Sequence, residues 1–496
     1  MDVLIAGGRV MAPGADPHAP AVVDVLVRAG RIAAMGPGLE AAGARVVDAR
    51  EMLVMPGFVN AHYHSYDVLQ KGLLEDMPFD VWALHSQPAY LGARPAEELR
   101  VRTLIGAVDC IRHGITTVQD MNSLVPMDEP TLDTILDAYA ESGLRVVFSA
   151  AVRDVAALDI TPFVAARAPA YVQALVQGAP GNAAEQLAFV EAQIRRIDPL
   201  PDRLSWALGP SGPQRSSRAL LEGVAGLSER YGLPVLTHAY ETKAQAAKAR
   251  AIYGAQGGSM LRWLDEVGLL TRRLTIAHGV WLTDEEIGLL GRAGAGLAHN
   301  PASNLKLKSG VAPMRRVIAA GVNVALGCDN CSCGDCQSMF TAMKLLCLLA
   351  AGADAQPTGV HATTAMAAAT TGGARAVGLE GQVGVLAPGY RADLVLLDLR
   401  DIAYVPFNSA VRQVVFAEGG RGVHSVMVGG QMVLDAGRMT TVDEVALRAE
   451  AAAVMPGFMQ DYARQAARAA EAAPWLLDAN GRVARHDLGL DRFIPG

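Results

Sequence analysis

The sequence predicts an α/β protein: a (β/α)8 TIM-type barrel with a small β-sandwich domain built from both chain ends. Short apolar runs alternate with helical segments through the middle of the chain, while glycine-punctuated strands recur near its two ends. The length of 496 residues and the 51% hydrophobic content allow one large core and a smaller second unit. We therefore assign residues 1–54 plus 380–440 to the β-sandwich, 55–379 to the barrel and 441–496 to a C-terminal helical tail.

The end segments read as strands separated by turns. The candidate strands cover residues 2–8, 22–27 and 31–36 at the start, and 389–398 and 423–430 near the end. Because the same pattern of short strands and glycine turns recurs at both ends, we expect the two ends to pair, with the barrel inserted between them.

The middle segment begins with a Pro-Gly turn at Pro56-Gly57 and a strand that ends in His62 and His64. Seven more candidate strands follow, at residues 115–118, 145–148, 204–208, 234–237, 274–277, 296–298 and 322–326. Eight strands alternating with helices are typical of a parallel barrel, whose catalytic residues lie at the C-terminal ends of strands.

The two histidines of the first strand are one residue apart, so their side chains point to the same face. Two imidazoles on one face can form half of a metal site. The motif alone is weak, because both side chains could simply face water.

Further polar residues stand where the other strands end. His238 ends the fifth strand, His278 the sixth and Asp329 the eighth, and Glu241 lies three residues beyond His238. Each alone could be a solvated polar group. Together with the first pair they supply nitrogen and oxygen ligands on one rim, which predicts a metal site.

Composition narrows the function classes. The net charge of −7 has the wrong sign for a nucleic-acid binder. The N-terminus has no basic region typical of a signal peptide, and the apolar runs are too short to span a bilayer. Six cysteines in so long a chain do not indicate a secreted disulfide scaffold. We expect a soluble cytoplasmic protein that binds neither nucleic acid nor membrane.

The strand-end motifs resemble the amidohydrolase superfamily, in the branch of cytosine-deaminase-like aminohydrolases and triazine hydrolases. The matching stretches are 56–64, 237–241, 277–279, 299–310 and 327–329; the stretch 299–310 is similar to one in methylthioadenosine/S-adenosylhomocysteine deaminases and hydroxyatrazine ethylaminohydrolase. The resemblance implies that one divalent metal is bound by four residues and that two others handle protons and polarise the substrate. The ligands are His62, His64, His238 and Asp329, and the other two are Glu241 and His278.

The chemistry of these residue types agrees with that assignment. Three imidazoles and a carboxylate leave a coordination position for water, and the metal lowers the pKa of that water from 15.7 to about 7. Asp329 can orient the resulting hydroxide, Glu241 can move its proton to a leaving nitrogen, and His278 can hydrogen-bond the atom where charge develops.

The predicted function is a mononuclear metal-dependent aminohydrolase. Metal-bound hydroxide would attack a ring carbon of a purine, pyrimidine or triazine and release an amino group. The alternative is hydrolysis of a non-peptide amide, urea, carbamate or C–Cl bond on the same site. A non-catalytic assembly protein is a second rival, which the intact set of polar residues argues against.

One metal is favoured over two. Binuclear members of the superfamily use a carbamylated lysine on the fourth strand, and no lysine falls on the strand at 204–208 or at 145–148. Zinc and iron (Zn²⁺ or Fe²⁺) stay open, because both accept imidazole and carboxylate. Four cysteines crowd around Asp329, at positions 328, 331, 333 and 336. The single residue between the inner pair disfavours a four-cysteine metal site, so we interpret the segment as a loop of small residues.

The resemblance implies that specificity comes from the loop after the first strand and the loops after strands four and five; one further candidate, His299, follows strand seven. A flat polar heterocycle would suit stacking rings and amide groups there. The candidates are Trp82, His85, Gln87, Tyr90, Gln214 and His299. The Trp-Pro-x-Glu element whose carboxylate holds ribose in adenosine-type relatives has no glutamate here, which argues against a nucleoside. A homo-oligomer is expected from the family resemblance alone.

Overall fold

The computed structural model describes residues 2–178, 181–196, 203–353, 355–357 and 359–494. Within them, one mixed sheet joins the two ends of the chain, and two parallel sheets with flanking helices form the middle.

The mixed sheet has nine strands in the order β19-β18-β17-β16-β5-β1-β2-β3, with β4 paired to β1. Its strands are β1 Val3–Val10, β2 Val22–Arg28, β3 Arg31–Gly36, β4 Arg45–Asp48, β5 Met52–Pro56, β16 Leu394–Asp398, β17 Val423–Val428, β18 Gln431–Asp435 and β19 Arg438–Met439. The join between the ends is the antiparallel pair β5–β16, in which Leu394 lies opposite Pro56 and Asp398 opposite Met52.

The first parallel sheet has six strands, in the order β10-β8-β7-β6-β15 with β9 on β8, and the second has the order β11-β12-β13-β14. Their bounds are β6 Phe58–His64, β7 Ile115–Asn122, β8 Arg145–Val152, β9 Leu204–Trp206, β10 Gly209–Pro210, β11 Val235–Ala239, β12 Leu274–His278, β13 Gly296–His299, β14 Asn323–Leu326 and β15 Asp329–Asn330. A parallel bridge between Leu208 and Val235 connects the two sheets. Residues of β6, β7 and β8 are all buried, as expected for strands covered on both faces.

Helices separate these strands and cover them. They are α1 Phe79–Ser86, α2 Pro88–Leu91, α3 Ala96–Arg112, α4 Glu129–Ser142, α5 Ala157–Ile160, α6 Ala170–Gln177, α7 Ala183–Arg196, α8 Arg218–Tyr231, α9 Lys243–Ile252, α10 Met260–Glu266, α11 Asp284–Ala293, α12 Pro301–Lys306, α13 Met314–Ala319, α14 Cys331–Gly334, α15 Met339–Gly352, α16 Ala362–Ala369, α17 Thr371–Ala376, α18 Ala410–Phe416 and α19 Glu444–Arg485. Short 3-10 helices cover Ser65–Gln70, Pro213–Arg215, Gly254–Gln256 and Ile402–Tyr404.

Two contacts fix the parallel strands to the mixed sheet. Arg145, at the start of β8, donates two hydrogen bonds of 2.8 and 2.9 Å to the carboxylate of Asp393, and both side chains are buried. Gly57 separates β5 from β6, and a Cβ there would lie 2.2 Å from Thr116 side-chain atoms, so the close approach to β7 requires glycine.

The C-terminal helix α19 covers Glu444–Arg485, within the tail assigned to residues 441–496. It continues to Arg485 through Pro456 and Pro474. Its apolar side chains, such as Leu476, pack with Leu84 of α1 and Val176 of α6 in one buried cluster. Tertiary packing thus overrides the helix-breaking tendency of proline, and the tail becomes part of a cap.

Candidate active site

The predicted strand-end residues meet at one edge of the parallel strands. In the paired registers, Asn330 lies opposite His64 between β15 and β6, and His238 lies opposite Ala277 between β11 and β12. Because carboxyl ends of parallel strands share an edge, His62, His64, His238, His278 and Asp329 are brought together from positions far apart in the chain.

The donor atoms of four of these residues converge. Oδ1 of Asp329 lies 3.5 Å from His62 Nε2 and 3.4 Å from His64 Nε2. Nε2 of His238 lies 3.3 Å from Nε2 of His64. Both ring nitrogens of His62 are buried and have no hydrogen-bond partner among the described residues. Unsatisfied buried polar atoms are costly, so this cluster calls for a ligand.

Backbone carbonyls fix the tautomers of two of the imidazoles. Nδ1 of His64 donates to the Met121 carbonyl oxygen at 2.6 Å, and Nδ1 of His238 donates to the Ser211 carbonyl oxygen at 2.7 Å. The proton on Nδ1 leaves a lone pair on Nε2 of each neutral ring. Two such lone pairs 3.3 Å apart repel unless a cation lies between them, and this is the usual orientation of metal-binding histidines.

The charge states also fit a divalent cation. Burial lowers the pKa of His62 to about 4 and lowers the pKa of His238 well below its usual value, so both rings are neutral at neutral pH. Burial by itself would raise the pKa of Asp329, but His62 and the other histidines hold it well below its ordinary value. Oγ of Ser303 donates to Asp329 Oδ2 at 2.6 Å and orients the carboxylate. Neutral imidazoles and an ionised carboxylate are zinc-type ligands.

Glu241 and His278 lie beside this donor set. Oε2 of Glu241 is 4.0 Å from His278 Nε2, which is 3.9 Å from Asp329 Oδ2. Nδ1 of His278 contacts Asn304 Oδ1 at 2.8 Å, and Gln245 Nε2 donates to Glu241 Oε2 at 3.3 Å. Burial, with a smaller contribution from the Asp329 charge, raises the pKa of Glu241 to about 7. Such a carboxyl group can both accept and release a proton near neutral pH.

Backbone conformation sets the directions of two site residues. His278 and Asp329 have φ of +73° and +62°, the left-handed region that side chains other than glycine rarely adopt. Residues held in this region are concentrated at functional sites, where packing of the surrounding structure stabilises the strained conformation. Thr242 caps the N-terminus of α9 and accepts from Gln245 N, which places Glu241 directly before that helix.

A cavity of about 1290 Å³, including the part open to solvent, extends from these residues to the cap formed by α1, α5, α6 and α19. Four predicted substrate contacts line it: Trp82, Gln87, Tyr90 and Gln214. The Oε1 atom of Gln214 is buried without a hydrogen-bond partner among the described residues.

The other two predicted contacts do not line the cavity. His85 lies on the far side of α1, with its ring 6.3 Å from that of Tyr462 on α19. His299 ends β13 and is buried behind the site, where burial lowers its pKa to about 3. The position of His85 in a loop after the first strand and that of His299 after the seventh strand did not show whether either ring would face the cavity.

Three charged residues that line the cavity were not among the sequence candidates: Asp80, Arg153 and Arg215. Burial raises the pKa of Asp80 to about 6 and lowers the pKa of Arg215 to about 10. Arg153 directly follows β8, so the strand-end rule could have identified it. Arg215 follows Gln214 in the loop after β10, and Asp80 lies in the first turn of α1, two residues before Trp82.

The four cysteines near Asp329 are free thiols. Cys328, Cys331 and Cys333 are buried, and Cys336 is exposed. In the described parts of the chain, no cluster of potential metal ligands contains two cysteines. The same parts of the chain contain no helix long and apolar enough to cross a lipid bilayer.

Comparison with known proteins agrees with this geometry. The profile of the amidohydrolase family matches residues 53–433. A 5-methylthioadenosine/S-adenosylhomocysteine deaminase of Pyrococcus furiosus is 33% identical over 425 residues, covering 85% of this chain and 93% of that protein. A 5'-deoxyadenosine deaminase of Methanothermobacter thermautotrophicus is 31% identical over 459 residues, covering 91% and 98%.

Two solved structures share the fold. An adenosine deaminase from Xanthomonas campestris with bound zinc is 29% identical, with a TM-score of 0.79 over 94% of this chain and 99% of that chain. A triazine hydrolase variant superposes with a TM-score of 0.82 at 22% identity, over 92% and 99% of the two chains, a likeness of fold alone. The family match and the extent of these similarities establish that the chain belongs to the amidohydrolase family.

Proposed function

We propose that the protein is a metal-dependent hydrolytic deaminase that removes the amino group from an adenosine-type nitrogen heterocycle. The observation that carries the proposal is the placement of Glu241 and His278 beside four converging donor side chains at the floor of a cavity. The relatives described above, named as deaminases of methylthioadenosine, S-adenosylhomocysteine and 5'-deoxyadenosine, support the substrate class.

One divalent metal would be held by His62, His64, His238 and Asp329. The unpartnered nitrogens of His62 and the facing Nε2 atoms of His64 and His238 support this assignment. Zinc is the first choice, because the related adenosine deaminase contains it, and iron is the alternative. When bound, the metal would act as a Lewis acid and lower the pKa of a water from 15.7 to about 7.

The side chains of this protein then manage the protons. Glu241, whose pKa is about 7, accepts a proton from the attacking water and delivers it to the leaving amino nitrogen. His278 Nε2, which faces both carboxylates, hydrogen-bonds the reacting centre where charge develops. Asp329 orients the nucleophile through the carboxylate that Ser303 holds in place.

Asp80 provides a carboxylate that could bind the sugar of a nucleoside. The sequence lacks the glutamate that holds ribose in adenosine-type relatives, but the Asp80 carboxylate opens on the same cavity. We infer that Asp80 accepts hydrogen bonds from the sugar hydroxyls. A carboxylate one methylene shorter than glutamate can serve this purpose if the substrate lies closer to α1.

Arg153 and Arg215 support a substrate with an anionic substituent. Their guanidinium groups have neutral partners, the Ser123 hydroxyl at 3.5 Å and the Val155 carbonyl oxygen at 3.0 Å. Among the described residues, neither has a carboxylate ion-pair partner, although burial lowers the pKa of both. Partly buried cations without counterions are costly, so an anion such as the carboxylate of S-adenosylhomocysteine would satisfy them.

Ammonia release from zinc-loaded enzyme tests the proposal. The panel comprises adenosine, 5'-deoxyadenosine, 5'-methylthioadenosine, S-adenosylhomocysteine, amino-triazines and simple amides. We expect turnover of the adenosine derivatives, and loss of turnover in Glu241→Gln. Replacing Arg153 or Arg215 by Met should raise KM for S-adenosylhomocysteine and leave KM for 5'-methylthioadenosine unchanged. Amide hydrolysis without ammonia release from any heterocycle would refute the deaminase.

We also infer that the two parallel sheets form one eight-stranded barrel, and that the domain boundaries are those predicted from the sequence. The bridge between Leu208 and Val235 and the nine-stranded sheet of both chain ends support this division. A cytoplasmic homo-oligomer stays a prediction, and light scattering on the purified protein tests the oligomeric state.

A further inference from the structure

A second cluster of titratable side chains lies outside the cavity. Asp109 and His113 are one helical turn apart at the end of α3, and Cys336 follows α14 in the loop after β15. None of the three lines the cavity, and the proposed function does not use them. Cys336 is the exposed member of the six free cysteines, while the other five are buried.

The three side chains form a chain of contacts through the imidazole. Nε2 of His113 is 3.5 Å from Sγ of Cys336. Nδ1 of the same ring is 2.8 Å from the Asp109 carbonyl oxygen and 3.3 Å from its carboxylate Oδ1. Nδ1–H therefore donates towards Asp109, and Nε2 faces the thiol, the order found in activated-nucleophile arrangements.

This geometry fits a polarised thiol better than a metal site. The imidazole contacts the thiol through Nε2 and the carboxylate through Nδ1. It therefore lies between these two groups, whereas metal ligands would all point at a single ion. Lys71 Nζ also lies 3.0 Å from Asp109 Oδ2, and its positive charge opposes a bound cation. A Cβ at Gly420 would lie 2.7 Å from His113 Cδ2, so that glycine lets the backbone pack against the ring and restrict its rotation.

We propose that Cys336 is a nucleophilic thiol activated by His113, and that it forms a mixed disulfide with small-molecule disulfides. The Cys336 thiolate attacks one sulfur of the disulfide, a new S–S bond forms, and the other half leaves as a thiolate with the electron pair of the broken bond. The electrostatics support an imidazolium: burial would lower the pKa of His113, but Asp109 and Cys336 raise it to about 10.

The other charges around the thiol are nearly balanced. Lys71 shares the Asp109 carboxylate, and Asp335, next to Cys336 in the chain, pairs with Lys306. The imidazolium of His113 thus lies 3.5 Å from Sγ, in position to stabilise a thiolate.

The residue after Cys336 connects the thiol to the active site. Gln337 is buried; its Nε2 donates to the Asp329 carbonyl oxygen at 3.1 Å, and its Oε1 accepts from Asn60 Nδ2 at 3.1 Å. Asn60 lies on β6 two residues before His62. An adduct on Cys336 would displace Gln337. That would loosen β15, which carries Asp329, and β6, which carries His62 and His64. We therefore expect modification to lower activity.

The rate of reaction with 5,5'-dithiobis(2-nitrobenzoate), followed by the released thionitrobenzoate, tests the activation. The His113 ring lies next to Sγ and favours the reactive thiolate, so at about pH 6.5 we expect wild type to react about fivefold to tenfold faster than His113→Gln. The two rates should converge near about pH 9.5, where even an ordinary thiol is mostly ionised and needs no activation. Asp109→Asn should be intermediate, and peptide mapping should place the adduct on Cys336.

The proposal is overturned if the reaction rates of wild type and His113→Gln have the same pH dependence. If His113→Gln does not fold, the same comparison with Asp109→Asn decides. The zinc-loaded enzyme should lose at least half of its activity on full labelling and regain it with dithiothreitol, whereas Cys336→Ser should be active and insensitive. Full labelling without loss of activity would refute the link through Gln337. Absence of any deaminase activity before labelling would count against the proposed function alone, since the labelling rates do not depend on it.

Discussion

Replacing Glu241 by Gln should lower turnover and raise the stability of the metal-free protein, two effects of opposite sign from one substitution. Glutamine keeps the shape of the side chain and can still contact Gln245, but it cannot accept a proton. Loss of a general acid–base group typically costs about 10²–10⁴ in rate, so we expect kcat to fall at least a hundredfold with zinc still bound.

The stability gain follows from the cost of ionising a buried carboxyl group. Burial raises the pKa of Glu241 from 4.5 to about 7. Between these values the unfolded chain releases its proton while the folded chain keeps it, so wild-type stability falls as pH rises through this window. Multiplying this pKa difference by 1.36 kcal/mol per pKa unit shows that the buried carboxyl group lowers the free energy of unfolding by about 3 kcal/mol above pH 7. It has no such effect below about pH 4.5.

Urea unfolding of both metal-free proteins measures this difference. Glu241→Gln should have the higher midpoint at pH 8, and the two midpoints should approach each other towards pH 4.5. Metal content by atomic absorption and ammonia release from 5'-methylthioadenosine complete the assay. A variant that loses stability and activity together, or that keeps near-normal turnover, would remove Glu241 from its proposed role.

Three further predictions concern other parts of the molecule. His62→Ala should leave less than a tenth of the wild-type metal content, and full occupancy by atomic absorption would count against the ligand set. Asp80→Asn should raise KM for nucleosides more than it lowers kcat. Because burial raises the pKa of Asp80 to about 6, the variant should also be more stable than wild type above that pH. Below about pH 4 the two proteins should be equally stable. Asp393→Ala should destabilise the protein by about 3–5 kcal/mol in urea unfolding, since it leaves Arg145 buried and unpaired, whereas a double replacement of both by apolar residues should recover most of the loss.

The residues that the sequence identified best share a simple local rule. His62, His64, His238, His278 and Asp329 each lie where a hydrophobic run ends, and parallel strands bring such positions to one edge regardless of their separation in the chain. Their spacing and residue types were therefore enough to predict that they would meet.

The substrate side of the cavity followed no such rule. Trp82 of α1 lines it, as do Gln87 and Tyr90 beyond the end of that helix. His85 of α1 does not, because the face that α1 presents is set by its packing on α19. No local pattern indicates that the Asp80 carboxylate opens on the cavity, because this too depends on how α1 packs.

By itself, then, the sequence determined the alternation of strands and helices, the donor set at the strand ends and the family resemblance, all of which depend on periodicity and short motifs. Only the tertiary structure decided which loop side chains open on the cavity, that Arg153 and Arg215 have no carboxylate partner among the residues it describes, and that the C-terminal helix contributes to the cap over the cavity. Those features depend on the packing of segments hundreds of residues apart, whose relative positions are fixed by the shape of the whole core and leave no local pattern in the chain.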